Sequence, residues 1–430
     1  MNVNYDFLRP YKAEAVKVWY ERDFIKKEEL ESKLYSNAAI LPLKSIANDN
    51  LLFGRGGVVD SDKNYVDESG IPGRVFGCYE INEPAYKDER VVYCGYLVPQ
   101  WGHFLVEAVT RLWYYLKNDP TIDRYVFFIE ENSERSVSGN YREFLELFGV
   151  WDKIEIINTP IQYREVIVPE RGFKMGQYWS DGFKNVYNTV AEAALSKDLG
   201  REHSEKVFLS RSQLKAFRHK EFNMDMLDEF FEKNGYRIVF PEQESLTDLI
   251  RIIRNADTVA TLSGSIQHNM LFAKDNTKQI VIEKTVVTVD FVCDINRAKD
   301  FDTIYIDANL CIYPVNIGYG PFIMRYSGML QKFAESFGYL PADAGYESEK
   351  RMKKILQWYF KAYSKAYQKK WYMERWEAKQ FALAIWEAVN EGYSYYEPNL
   401  SGREPFLARD YINPHNWKSA IKYMLNRTNS

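Results

Sequence analysis

The sequence has few cysteines and no long hydrophobic run. No stretch approaches the roughly 20 uninterrupted apolar residues of a membrane-spanning helix, and the N-terminus lacks the apolar core of a signal peptide. The cysteines form no CxxC pair, which excludes a zinc ribbon and a thioredoxin-like motif; they are Cys78, Cys94, Cys293 and Cys311. We therefore expect a cytoplasmic protein, in a compartment where thiols stay reduced.

Several motifs of catalysis and nucleotide binding are also missing. The chain has no GxGxxG before a helix, no P-loop, no GxSxG nucleophile elbow and no HExxH zinc motif. One DxD triplet, at residues 60–62, falls in the turn of a hairpin predicted over 54–69, and we interpret it as turn chemistry rather than a metal site. The formal net charge of −4 gives no reason to expect nucleic acid as a partner.

What the chain does have is an alternation of strand and helix patterns from residue 91 to residue 283. Such alternation predicts an α/β fold with mostly parallel sheets and helices on both faces. A charged stretch near residue 198 separates two blocks of similar size, which implies two Rossmann-like halves facing across a cleft. We predict an N-terminal domain at 1–198, a second domain at 199–345 and a helical extension at 346–430.

The stretch GHFLVEAVTRLW at 102–113 carries the polar residues of the first block. It follows an apolar run at 91–98 that reads as a buried strand. Spacing of i, i+4 and i+8 places His103, Glu107 and Arg111 on one face of a helix. In open α/β sheets ligands bind where a strand ends and a helix begins, so these three residues are candidates for catalysis. The alternative is a solvated helix face held by an ion pair.

The second block holds the candidate anion site. The strand pattern 207–209 ends at Arg211, whose guanidinium fork matches two phosphate oxygens. In LSGSIQHN, at 262–269, Gly264 permits a tight turn before a helix, whose free N–H groups attract anions. The candidate contacts around this turn are Ser263, Gly264, Ser265, His268 and Asn269. The alternatives are a surface ion pair for Arg211 and a buried histidine bonded to backbone for His268.

One acidic residue and one basic segment complete the candidates. Glu283 ends the strand pattern QIVIE and would hold ribose hydroxyls, or else is a capping or exposed acid. Residues 350–379 contain ten Lys or Arg and only two acids, interleaved with Tyr and Trp. That pattern predicts an amphipathic helix. It either packs back across the two domains or contacts the anionic inner face of a membrane.

These motifs together resemble glycosyltransferase family 61, and the bacterial members of capsular and surface polysaccharide synthesis are closest in style. The similarity spans roughly 56–283 and rests on GHFLVEAVTRLW, FLSR, the stretch 222–272 and IVIE. It implies a GT-B fold and inverting transfer from a nucleotide sugar without a tightly bound metal or cofactor. His103 matches the family's helix histidine and Arg211 matches its Ser-Arg pair. The family's Gly-rich turn and following helix are matched by Gly264, Ser265, His268 and Asn269. Many members read HGAG-like residues where this chain reads SGSI, so an imidazole contact from the turn itself is missing unless His268 supplies it.

The sequence thus predicts an enzyme that transfers a sugar to a growing cell-surface or lipid-linked glycan. Arg211 and the Gly264 turn would hold the donor diphosphate and Glu283 the ribose. Either His103 or Glu107 would act as the base. The competing prediction is a non-catalytic scaffold of a polysaccharide assembly complex that binds glycan or nucleotide with the same fold.

Overall fold

A computed structural model of the chain describes residues 1–47, 49–196, 205–214, 221–284, 290–309, 322–348, 350–351, 354–355 and 358. Nearly all of the extension predicted at 346–430 lies outside these residues. The same holds for most of the basic segment 350–379, so its predicted helix and membrane contact stay predictions.

The described residues form alternating strands and helices. The strands are β1 (Val3–Phe7), β2 (Ile25–Lys26), β3 (Ser32–Lys44), β4 (Arg55–Val59), β5 (Ala85–Tyr96), β6 (Arg124–Phe128), β7 (Ile154–Ile157), β8 (Ile161–Pro169), β9 (Phe173–Lys174), β10 (Tyr178–Trp179), β11 (Lys206–Leu209), β12 (Glu221–Phe222), β13 (Arg237–Val239), β14 (Thr258–Leu262), β15 (Lys278–Glu283), β16 (Asp302–Asp307) and β17 (Phe322–Ile323). The α-helices are α1 (Pro10–Glu21), α2 (Trp101–His103), α3 (Asn140–Phe148), α4 (Asp181–Ser196), α5 (Met224–Lys233), α6 (Leu246–Arg254), α7 (Asp290–Ala298) and α8 (Gly328–Phe337). A π-helix at Phe104–Ala108 and 3-10 helices at Val109–Lys117 and Ser265–Phe272 are the other helical segments near the site.

The first sheet has the order β4-β3-β8-β5-β6-β7. Strands β8, β5, β6 and β7 run parallel, as the alternating pattern predicts, while β3 is antiparallel to both of its neighbours. The predicted hairpin at 54–69 is only partly formed. Its second strand is reduced to a bridge between Val59 and Tyr65, and a short 3-10 turn follows at Asp67–Ser69.

The second sheet is fully parallel, with the order β13-β11-β14-β15-β16-β1. Helix α6 begins after Ser245, whose side chain accepts from Asp248 N. Asparagine is a common capping residue, but Asn223 does not cap α5; its side-chain amide donates to the Met324 carbonyl instead. The α/β fold class is confirmed.

The N-terminal segment lies in the second sheet, not in the first domain where the predicted boundaries 1–198 place it. Strand β1 pairs in parallel with β16, with Val3 opposite Thr303, and α1 packs near α7. A parallel partner almost 300 residues away leaves no local pattern in the sequence, which is why residues 1–50 look like a lead-in.

The two halves share buried contacts. The carboxylate of Glu143, in α3, accepts from the backbone N–H groups of Leu246 and Thr247 and so caps α6 of the other half. The rings of Phe144 and Phe272 lie 6.2 Å apart within a continuous apolar core. Contacts from both halves therefore fix the position of the segments that carry the candidate residues.

Candidate active site

The second sheet changes its strand order between β11 and β14. The chain goes from β11 outward to β13, and then returns to the other side of β11 to form β14. In open α/β sheets this switch leaves a crevice beyond the carboxyl ends of the two central strands. Arg211 follows β11 and Gly264 follows β14, so both candidate phosphate contacts stand at this crevice.

The turn after β14 has the conformation that the sequence predicts. Gly264 has φ 118° and ψ −162°, a backbone conformation that other residues rarely adopt. A 3-10 helix begins immediately afterwards, at Ser265, and leaves its first N–H groups at the crevice. Ser263 is fully buried, and its backbone N–H donates to the carbonyl of Ile282 in the neighbouring strand.

Two cations and one acid lie beside this turn. Glu221 contacts Lys284 Nζ at 2.6 Å and Arg211 Nε at 3.4 Å. Burial lowers the pKa of Lys284, and the neighbouring carboxylate opposes that effect. A Cβ atom on Gly264 would lie 3.6 Å from Lys284 Nζ, so this amine points at the turn. The cluster has a surplus of positive charge where a ligand would approach the turn.

The first half contributes the short helix α2 to the opposite wall. Trp101 Nε1 donates to Asn269 Oδ1 at 2.9 Å, which ties this helix to the 3-10 helix after the Gly264 turn. A Cβ on Gly102 would lie only 2.7 Å from His268 Nδ1 and 2.9 Å from Ser265 Cβ. Glycine at 102 therefore permits a close approach of the two halves.

His103 and Glu107 are in direct contact, as the spacing predicts. His103 Nδ1 lies 3.1 Å from Glu107 Oε2, and Glu107 Oε1 is 2.9 Å from Arg74 Nε. Arg74 Nη1 also lies 3.3 Å from His103 Nδ1. The side chain of Glu107 is 5% exposed and that of His103 is 30% exposed. Glu107 thus orients the ring from inside, while His103 reaches solvent.

Arg111 does not join this pair, although the predicted stripe includes it. The helix changes from π at 104–108 to 3-10 at 109–117, and a 3-10 helix turns by about 120° per residue, so the third member leaves the common face. The buried guanidinium donates to the carbonyls of Pro169 and Glu68 instead. Burial lowers the pKa of Arg111. Its contacts fasten residues 67–69 to β8.

Glu283 also lies away from the crevice. It is fully buried, and its carboxylate lies 3.0 Å from Lys12 Nζ in the N-terminal helix. A contact with a ribose, as the sequence predicts, would require that ion pair to open. The next residue, Lys284, takes the place at the crevice. Its position could have identified Lys284 as a candidate, because it directly follows β15, just as Arg211 and Gly264 follow β11 and β14.

A cavity of about 540 Å³ opens between the two walls and is named here the first cavity. Among the residues that line it are Trp101, Gly102, His103, Arg211, Gly264, Ser265, His268, Asn269 and Lys284. Six of the ten predicted site residues are thus brought together, while Glu107 lies behind His103 and Arg111, Ser263 and Glu283 do not line it. No sequence motif indicates Arg74 as a site residue.

His268 is held neutral in the wall of the first cavity. Its side chain is 4% exposed, and burial lowers its pKa to about 4, against a smaller opposing effect from the backbone of Gly102. His268 is therefore a buried histidine with a backbone partner, as the alternative interpretation has it, and it also faces the cavity. A neutral ring can donate or accept a hydrogen bond there without adding charge.

A second cavity, of about 530 Å³, lies on the other side of Glu107. We name it the second cavity; its inner wall includes Arg74, Glu107, Glu170, Arg171 and Lys174. Arg74 and Glu107 contact His103, so this cluster stands between the two cavities.

The DxD triplet is part of a turn. Asp60 Oδ1 accepts from the backbone N–H groups of Asp62 and Asn64, at 2.9 and 2.8 Å. Its carboxylate is thus used to form the loop, as predicted. Within the described ranges, no group of three or more His, Cys, Asp or Glu side chains is placed to hold a metal ion.

Comparison with known protein families gives a match for part of the chain. The chain matches the family model Glycosyltransferase 61 over residues 101–280, from the start of α2 into β15. The match is shorter than the resemblance noted from the sequence, since residues 56–100 fall outside it. No curated protein matches the chain. None of the described helices is long and apolar enough to cross a membrane. The resemblance of this chain to glycosyltransferase family 61 is thus supported over residues 101–280.

Proposed function

We propose that the protein is an inverting glycosyltransferase of the GT-B type, which transfers a sugar from a nucleotide donor to a cell-surface polysaccharide or lipid-linked glycan. The family indicates glycosyl transfer. The observation that carries the proposal is the composition of the first cavity, in which a histidine held by a buried carboxylate faces two cations and the Gly264 turn.

The donor diphosphate lies against the second half in this proposal. The guanidinium of Arg211 and the amine of Lys284 supply positive charge, and the backbone N–H groups after Gly264 supply donors. These groups stabilise the charge that grows on the departing nucleoside diphosphate. They support the prediction that no tightly bound metal is needed. His268 and Asn269 border the same space and orient the donor.

Of the two candidates for the base, His103 and Glu107, we propose His103. In the tautomer with its proton on Nδ1, which lies 3.1 Å from Glu107 Oε2, the basic atom of the His103 ring is Nε2. Nε2 takes the proton of the acceptor hydroxyl as the oxygen attacks the anomeric carbon, and the bond to the diphosphate breaks on the opposite face. Glu107 stabilises the imidazolium that forms, and Arg74 fixes Glu107.

Nucleotide binding tests the donor site. A panel of nucleoside diphosphates and their sugars should raise the melting temperature of the full chain for the correct donor, because a ligand that binds only the folded state stabilises it. Arg211→Gln should weaken that shift, whereas Arg164→Gln, at an exposed ion pair on β8, should not. If no nucleotide raised the melting temperature of the parent protein or of Arg164→Gln, the proposed donor site would be contradicted.

The alternative function is a non-catalytic scaffold that binds glycan or nucleotide with the same site. Release of nucleoside diphosphate that depends on a glycan acceptor separates the two, since only an enzyme produces it. The β- or α-configuration of the new bond, compared with the donor, tests inversion directly.

The proposed place of action is the cytoplasmic face of the membrane, which the chain touches through the basic segment 350–379. Flotation with liposomes tests this proposal. The full chain should float with anionic vesicles and stay at the bottom with neutral ones. Equal behaviour with both vesicles would leave only the packing role for this segment.

A further inference from the structure

We propose that the second cavity binds an acidic group of the glycan acceptor, a carboxylate or a phosphate, through Arg171. This inference rests on the proposed function and names the chemical class of its acceptor: an anionic glycan. It concerns a cavity that none of the predicted donor contacts lines.

Arg171 is the first reason. It lines the second cavity directly after β8, and among the described residues its guanidinium has neither a hydrogen bond nor an ion pair. Burial lowers its pKa to about 10, and the nearby charge of Arg111 acts in the same direction. Arg171 is half-buried, and an unpaired cation that is partly removed from water costs free energy unless a ligand supplies the opposite charge.

The acids of the inner wall are already engaged, which is the second reason. The Glu170 carboxylate lies 2.6 Å from Lys27 Nζ and accepts from the Tyr178 hydroxyl. The Glu107 carboxylate contacts Arg74 and His103. Lys174 reaches Glu170 only at 4.0 Å, so it adds a second cation to the wall.

The remaining acids lie at the rim and are exposed. Glu31 and Asp67 stand in water, where their fields are screened, and Glu68 pairs with Lys33. The cations Arg171 and Lys174 are therefore less exposed than the acids Glu31, Asp67 and Glu68 at the rim. A bound acidic group would be selected by position, because it must reach the interior to meet Arg171.

The position of the cavity links it to catalysis. Arg74 and Glu107 form its wall towards the first cavity, and both contact the proposed base His103. An acceptor whose acidic group lies at Arg171 and whose chain passes Arg74 would bring a hydroxyl towards His103. The volume of about 530 Å³ is within the range of small-ligand sites.

Saturation-transfer NMR titrations of the full chain test the proposal with defined probes. One pair is a disaccharide ending in glucuronic acid and its neutral glucose counterpart; the other is glucose 6-phosphate and glucose. We expect the acidic member of at least one pair to bind more tightly, and the better pair distinguishes a carboxylate from a phosphate. Arg171→Gln should weaken that binding about ten- to hundredfold and leave neutral sugars unchanged.

Two further variants separate a binding role from a structural one. Arg171→Lys should keep part of the preference for the acidic probe, while Arg164→Gln, also on the β8 segment but exposed and paired with Asp88, should keep all of it. Arg171→Gln should melt no earlier than the parent protein, since it removes an unpaired charge. Equal affinity of the parent for acidic and neutral probes, or acidic binding that survives Arg171→Gln, would overturn the proposal. Because nucleotide shifts are measured separately at the first cavity, such a result would leave the proposed transferase function standing.

Discussion

Two histidines share one wall of the first cavity but have different surroundings. His103 is 30% exposed and rests on a buried carboxylate, which can stabilise a proton on the ring. His268 is 4% exposed, and burial lowers its pKa to about 4. The first environment suits a base that gains a proton during the reaction, and the second suits a ring that stays neutral.

His103→Ala should lower the transfer rate about 10²- to 10⁴-fold, because the acceptor hydroxyl loses its base. Glu107→Gln should lower it less, since the amide still fills the space but no longer carries the charge that stabilises the imidazolium. The control is Glu146→Gln, in an exposed pair with Arg142, which should transfer at the parental rate. Steady-state rates with saturating donor measure all three, and a parental rate for His103→Ala would remove it from catalysis.

His268 predicts an acid-sensitive component of stability. Its pKa is about 6.5 in an unfolded chain and about 4 in the folded protein, so the unfolded state binds the proton first as pH falls. This component of stability is complete above pH 6.5 and is lost progressively down to pH 4, by about 3 kcal/mol in total. His268→Gln should flatten the unfolding free energy over this window relative to the parent, measured by urea denaturation. Parallel curves for the two proteins would contradict the prediction.

The helix after β5 shows how far the sequence predicts this site. Its existence, its position after a buried strand and the His103–Glu107 contact follow from hydrophobic pattern and spacing. The loss of Arg111 from the common face does not, because a change from π to 3-10 winding depends on packing against both halves. The contribution of Arg74 could not be predicted either, since it comes from a loop with no periodic pattern.

In the second sheet, too, the sequence predicts the strands but not every residue that their ends bring to the site. The strand patterns that end at residues 209, 262 and 283 correspond to β11, β14 and β15, so Arg211 and Gly264 follow strand ends as the sequence predicts. At the end of β15 the prediction chose Glu283 instead of Lys284. Side chains alternate between the two faces of a strand, so a shift of one residue decides which of these two buried side chains faces the crevice. Burial of Glu283 depends on Lys12, which no local pattern connects to it.

Gly102→Ala should move α2 and the 3-10 helix after Gly264 apart. The new Cβ would lie 2.7 Å from His268 Nδ1 and 2.9 Å from Ser265 Cβ, so α2 or the 3-10 helix after Gly264 must move. We expect a loss of about 1–3 kcal/mol in the free energy of unfolding and a large drop in transfer rate. Gly139→Ala is the control, because its Cβ would meet nothing within 4 Å and only the cost of its positive φ, about 1 kcal/mol, applies. Equal rates for both variants would show that the approach of the two halves is not needed.

At the scale of the molecule, the N-terminal segment joins the part of the chain that holds the donor site. Strand β1 extends the second sheet beyond β16, and α1 brings two cations into the interior behind it. Lys12 Nζ lies 3.0 Å from Glu283 and 3.6 Å from Asp307, and Arg9 contacts Asp307 at 3.5 Å. The strand and helix alternation predicts the two blocks of the chain. It does not predict that the N-terminal segment joins the second sheet.

Lys12→Met should therefore destabilise the protein and weaken the donor site together. Removal of one partner from a buried ion pair leaves an uncompensated charge, which costs about 3–5 kcal/mol. Glu283 ends the same strand that places Lys284 at the first cavity, so nucleotide binding should weaken as well. Urea denaturation and the nucleotide thermal shift measure the two effects. Lys17→Met, at an exposed position of the same helix, should change stability by about 0.5 kcal/mol or less. If Lys12→Met were as stable as Lys17→Met, the buried ion pair of Lys12 would not stabilise the protein. The N-terminal segment would then not be part of the structure that positions the donor site.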